Sequence, residues 1–155
     1  MAAAMATHVT DRDSFLKALA PLRDSLFAGT DLVHDAAART MTLTITCEDH
    51  SSGGGRGFIQ RMGRTKHRRV VIHVRHIVSY KQYLATGPSD VYVLDRAEVG
   101  RGGQELAFYF RPGDRAVMDV EQIDVRVEDA GRATSLPRRP AIINPVIAKE
   151  KARRG

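Results

Sequence analysis

The sequence predicts an α+β domain, mainly antiparallel β, with about six strands in two three-strand meanders, an N-terminal helix and an extended C-terminal tail. Three observations predict it. Residues 40–47, "TMTLTITC", alternate threonine with Met41, Leu43, Ile45 and Cys47, the period of a strand with one buried and one wet face. Residues 71–77, "VIHVRHI", and 117–123, "VMDVEQI", share one apolar-polar order, and the likeness extends upstream, where "DLVHD" and "DVYVLD" each precede an alternating strand. Helical spacing of apolar residues, by contrast, occurs only near the N-terminus.

The helix is expected within "TDRDSFLKALAPLRDSLFAG", with Thr10 as its cap, Asp11 and Asp13 in its first turn and Gly29 as its stop. Phe15, Leu16, Leu19, Leu22 and Leu26 would form the core-facing stripe. Pro21 removes a backbone donor and clashes with the preceding turn, so the sequence predicts a kink or two short helices meeting there.

After "TMTLTITC" the expected strands are "VVIHVRHIVSY", "DVYVLD", "QELAFYF" with Leu106, Phe108 and Phe110 on one face, and "AVMDVEQIDVRVED". In the second and last of the five, two polar residues separate a Val from an Ile, which would place the Ile on the wrong face. A β-bulge or a chain break would absorb that slip. Turns are expected at "ATGPSD", "GRGG" and "RPGD". Paired meanders would make a twisted sheet, a sandwich or a partly open barrel, with the helix over one face or end.

Residues 1–131 read as one domain interrupted by a basic, Gly-rich loop at 48–68, and residues 132–155 as a basic, Pro-containing tail. A single cysteine excludes an internal disulfide, and the start of the chain carries acids where a targeting segment would carry bases, so a cytoplasmic location is expected. No stretch of the sequence is apolar for long enough to span a bilayer, and no amphipathic helix accompanies the basic tail, so no membrane partner is expected.

Charge is unevenly distributed. Residues 1–50 carry −3, 51–89 carry +8 with no acid at all, 90–131 carry −5 and 132–155 carry +6. Such clustering fits a polyanionic partner, and it equally fits a fold whose +8 block lies against its own −5 block. The polyanion candidates are Arg56, Arg61, Arg64, Lys66, Arg68 and Arg69 in the loop, with Arg138, Arg139, Lys149, Lys151, Arg153 and Arg154 in the tail. "GRGF", with Phe58 interleaved, is one copy of a unit that RNA-binding Arg-Gly segments repeat many times. The tail also holds an apolar group, Ile142, Ile143, Val146 and Ile147, suited to docking.

Catalytic and metal motifs are not evident. His73 and His76 would face opposite sides of a regular strand, and Cys47 with His50 or His67 falls short of a zinc signature. "CEDH" at 47–50 gathers a thiol, two acids and an imidazole, but strand neighbours point apart. Asp119, Glu121 and Asp124 are expected to face water or pair with Arg126 and Arg115. No catalytic residue, metal ligand or cofactor is assigned. The function expected is a non-catalytic binding or assembly subunit that docks on a larger complex through its tail and strand edges, with self-association open to it. The alternative is a nucleic-acid-associated subunit gripping RNA or DNA phosphates, and the third reading is a small enzyme with a dispersed site.

Overall fold

In a computed structural model, residues 6–48, 67–84, 90–111 and 113–133 are described. They form one open antiparallel sheet of ten strands with one short helix: β1 (Ala6–Val9), α1 (Arg12–Leu19), β2 (Leu26–Ala28), β3 (Leu32–Asp35), β4 (Thr40–Glu48), β5 (His67–Val74), β6 (Ile77–Tyr83), β7 (Val91–Val99), β8 (Glu105–Arg111), β9 (Asp114–Val120) and β10 (Val125–Arg132). The antiparallel character and the N-terminal helix stand as expected. The strand number does not: there are ten, not about six, in a single sheet.

The helix is shorter than its apolar spacing suggests. Asp11, rather than Thr10, is the cap, its carboxylate accepting the Ser14 N–H at 2.8 Å. That bond holds the Asp11 carboxyl below its ordinary range. α1 ends at Leu19, and Pro21 falls at the start of a single 3-10 turn, Ala20–Leu22, where its missing N–H costs nothing. Phe15, Leu19 and Leu22 are buried, but Leu26 belongs to β2 and Gly29 stops no helix.

The segments read as single strands at 70–80 and 116–129 are each two strands, so the expected meanders hold only in part. β3, β4 and β5 pair in succession, as do β7, β8 and β9. Their internal likeness extends to register: Leu43 faces Ile72 in the first as Leu106 faces Met118 in the second, and all four are buried. The parity slip in each copy is a chain break. After β5 the chain leaves its own meander, and β6 pairs with β9; after β9 it does the same, and β10 pairs with β5. Each half thus lends a strand to the other. At the two crossings the backbones bond reciprocally, Arg75 N–H to the Asp124 carbonyl (3.0 Å) and Glu121 N–H to the His76 carbonyl (2.9 Å).

β2 joins the halves a second time. Leu26 bridges Thr46 of β4 on one side and Val93 of β7 on the other. One core results, because every strand contributes to it. Phe27 of β2 lies 4.7 Å from Phe110 and 5.7 Å from Tyr92, ring centre to ring centre, and Phe15 of α1 meets Phe108 edge-on at 5.8 Å. Burial of each such side chain contributes about 1.5–3 kcal/mol, so the aromatic contacts anchor helix and halves together.

Candidate binding surfaces

The ends of the exchanged strands differ in chemistry. At the crossing end, Asp124 is buried, and its carboxylate accepts from Arg75 Nε (3.1 Å) and Arg75 Nη2 (2.9 Å). His8 Nε2 of β1 lies 2.7 Å from it and His76 Nε2 3.0 Å. Burial pushes this carboxyl upward, but the hydrogen bonds and charges of His8 and Arg75 outweigh that and leave it below the ordinary carboxylate range. Beside it Arg39 donates its Nε to the Ile77 carbonyl at 3.0 Å and pairs with Glu121. His76 holds a positive φ of 60° where the chain changes halves, and Arg39 holds one of 58° in the turn between β3 and β4.

Of the last-strand acids, Asp119 and Glu121 are exposed as expected, whereas Asp124 is buried, and none of the three pairs with Arg126 or Arg115. Asp124 and Glu121 pin the crossing, Asp119 accepts from Ser79 Oγ at 2.7 Å, Arg126 pairs with Glu128, and Arg115 lies over the Tyr83 ring. Sequence spacing gave no hint of the Asp124 cluster, since its partners lie 48, 49 and 116 residues away.

The other end, where β4 and β10 finish and β5 begins, is cationic. Arg68 pairs with Asp129 at 2.7 Å, whereas Arg69 is exposed and makes no ion pair, and neither does Arg132 among the described residues. Arg132 stands opposite Arg68 in the ladder, and the next N–H, of Ala133, donates to the His67 carbonyl at 2.8 Å. That bond places the end of the basic loop and the start of the basic tail side by side. Of the sequence candidates, Arg68 and Arg69 lie here. Arg56, Arg61, Arg64, Lys66, Arg138, Arg139, Lys149, Lys151, Arg153, Arg154 and the docking residues Ile142, Ile143, Val146 and Ile147 lie outside the described residues.

The +8 and −5 blocks meet in part: Arg68 and Arg75 of the first pair with Asp129 and Asp124 of the second. The described residues carry fourteen Lys and Arg against sixteen Asp and Glu, net −2, and residues 49–66 with 134–155 carry ten against two, net +8.

Beside the cationic end is a cavity of about 430 Å³ lined by Pro21, Arg23, Asp24, Ser25, Leu26, Thr46, Cys47 and His67. It collects a thiol, an imidazole and a carboxylate. The Cys47 thiol donates to the Arg68 carbonyl at 3.7 Å, and Asp24 pairs with Arg111, so two of the three are engaged structurally. No group of three or more metal-ligating side chains occurs among the described residues.

A third surface lies on the open side of the sheet. β6 ends the path of paired strands and β3 pairs only with β4, and the two meet through side chains, His34 stacking on Tyr80 with ring centres 4.0 Å apart. Burial there pushes the Tyr80 hydroxyl well above its ordinary value. The exposed large hydrophobic residues of the described chain, Val33, Val78 and Tyr83, all belong to these two strands. No helix among the described residues is long and apolar enough to cross a membrane. No known protein family, no curated protein and no solved structure matches the chain.

Proposed function

We propose that the protein is a non-catalytic binding subunit that docks on a larger protein assembly through the open strands of its sheet and its apolar tail. The single observation behind this reading is the confinement of Val33, Val78 and Tyr83 to β3 and β6. Val78 falls where the β6 register against β9 slips, and the regular, exposed part of the β6 edge beyond it suits addition of an extended segment from a partner. Lys81 on β6 discourages indiscriminate pairing with other edges, which suits a chosen partner over aggregation.

The test is co-purification from a nuclease-treated native lysate with three chains: the intact protein, a truncation after Leu136 and Val78→Asp. The reading expects one protein partner with the first, recovered poorly or not at all with the other two, while all three unfold at similar denaturant concentrations. Equal recovery by all three would remove edge and tail docking together.

A further inference from the structure

On the β6 edge an open backbone lies beside an uneven distribution of charge. The turn between β3 and β4 sets where that edge begins. The Ile77 N–H donates to the Arg39 carbonyl at 3.0 Å, and the Ile77 carbonyl accepts from Arg39 Nε at 3.0 Å, so the turn occupies the start of the strand. Beyond Val78, residues 79–83 pair with β9 on one side, and no described strand hydrogen-bonds the other. A row of backbone donors and acceptors of this kind is what an added extended segment completes.

The register separates the two faces of the edge. Ser79, Lys81 and Tyr83 stand opposite Asp119, Val117 and Arg115 of β9 on the outer face, whereas Tyr80 and Gln82 stand opposite the buried Met118 and Ala116. The inner side is ring and amide: Tyr80 stacks on His34 and donates its hydroxyl to Gln82 Oε1 at 2.8 Å. Charge lies on the outer side and changes sign along it. At the Ser79 end are Asp119, which accepts from Ser79 Oγ, and Glu105, directly opposite Asp119 on β8. Toward Tyr83 are Lys81 and Arg115, both exposed and neither in an ion pair among the described residues. The Arg115 guanidinium lies 4.8 Å from the centre of the Tyr83 ring, so its charge reaches from β9 to the edge strand. Other described cations also lack an ion pair, Arg69 among them, but Arg69 sits between Thr46 of β4 and Gly131 of β10, with both sides of its strand paired. Lys81 and Arg115 stand at a strand with an unpaired side.

Cross-strand neighbours on one face attract when their charges are opposite and repel when they are alike. A segment added to β6 sets alternate side chains beside Ser79, Lys81 and Tyr83, and acids beside the last two meet both cations. The residue between them falls beside the Tyr80 side of the sheet and calls for an apolar side chain. We propose that the β6 edge takes up an extended acidic segment of a partner protein, alternating carboxylates that face Lys81 and Arg115 with apolar residues on the Tyr80 side. This rests on the edge docking proposed above and adds the chemistry of the docked segment.

The test titrates labelled peptides of about eight residues onto the full chain: Glu alternating with Val, Lys with Val, Thr with Val, and the Glu peptide with every backbone nitrogen methylated. The Glu peptide should bind about tenfold more tightly than the Lys peptide, with the Thr peptide between them, and should slow hydrogen exchange among the amides of residues 79–83. The methylated peptide should not bind, because backbone hydrogen bonds supply the affinity. Lys81→Glu with Arg115→Glu, both at exposed positions, should reverse the order of the Glu and Lys peptides at an unchanged urea midpoint, and salt should shrink the preference in parent and variant alike. Should that midpoint fall, Lys81→Gln alone decides, narrowing the difference to about threefold. Peptides that protect β6 with equal affinity whatever their charge, or an order that the charge reversal leaves intact, would overturn the acidic choice while edge docking stands. If no peptide protects the amides of β6, edge addition itself is overturned.

Discussion

The two ends of β5 use the same kinds of side chain for opposite purposes. At one end Arg75, His76 and Arg39 converge with Asp124 and Glu121, and the charges hold together the point where the chain passes between halves. At the other end Arg69 and Arg132 make no ion pair among the described residues, and the chain's surplus of positive charge begins there. The difference follows from burial. A carboxylate as enclosed as Asp124 is tolerated only with hydrogen-bonded cations around it, whereas an exposed arginine beside open strand ends needs no partner. Charge at the crossing is therefore structural, whereas at the far end only Arg68 is held by an ion pair among the described residues.

The largest expected effect comes from severing the exchange. Chains ending at residue 84 or beginning at residue 90 should each fail to unfold cooperatively, because β6 and β10 lose the strands they pair with, and mixing them should restore a folded complex. A cooperative transition from either piece alone, followed by circular dichroism in urea, would mean that the halves are independent.

Next in size is the crossing carboxylate. Asp124→Ala leaves Arg75 and two histidines without their acceptor, and should cost about 2 kcal/mol, at the lower end for a broken buried pair because the partners are part-exposed. Equilibrium denaturation measures it, and a loss below about 0.5 kcal/mol would make the cluster incidental.

The same carboxyl sets a pH dependence. Its value in the folded chain lies below the ordinary 3.8, so its contribution is complete well above that value and is lost as pH falls through the folded value. Stability of the parent should drop between about pH 5 and pH 2, and Asp124→Asn should flatten part of that slope. Identical slopes in parent and variant would assign the acid sensitivity elsewhere.

Much of this body is legible in local sequence pattern. The alternation names the buried face correctly in β5, β8 and β9 and through Met41, Leu43 and Ile45 of β4, but at the end of β4 Thr46, expected to be wet, is buried and Cys47 only half-buried. Even the slips at residues 75–76 and 121–124 are visible as broken parity. What the pattern does not carry is the destination of the chain after each slip, since pairing of β6 with β9 joins residues about 40 apart. β2 was hidden for another reason: Leu26 continues the helical spacing of Leu19 and Leu22, and only its tertiary bridges to Thr46 and Val93 make it a strand. In β7 the bulge at Asp95 breaks the alternation, which is why its last residues do not read as a strand. The cationic end was half legible. Composition reveals two basic segments, but the bond from Ala133 to His67 that brings their roots together is a product of the fold.

The central claim, that charge holds the crossing end of the sheet together while the arginines at the far end add no stability, is tested most directly by measuring one quantity on two variants. Asp124→Asn and the double variant Arg69→Glu, Arg132→Glu are each assayed for urea midpoint. Asp124→Asn should lose stability, while the double variant should keep its stability to within about 0.5 kcal/mol. If both variants lose stability alike, the division between the two ends does not exist.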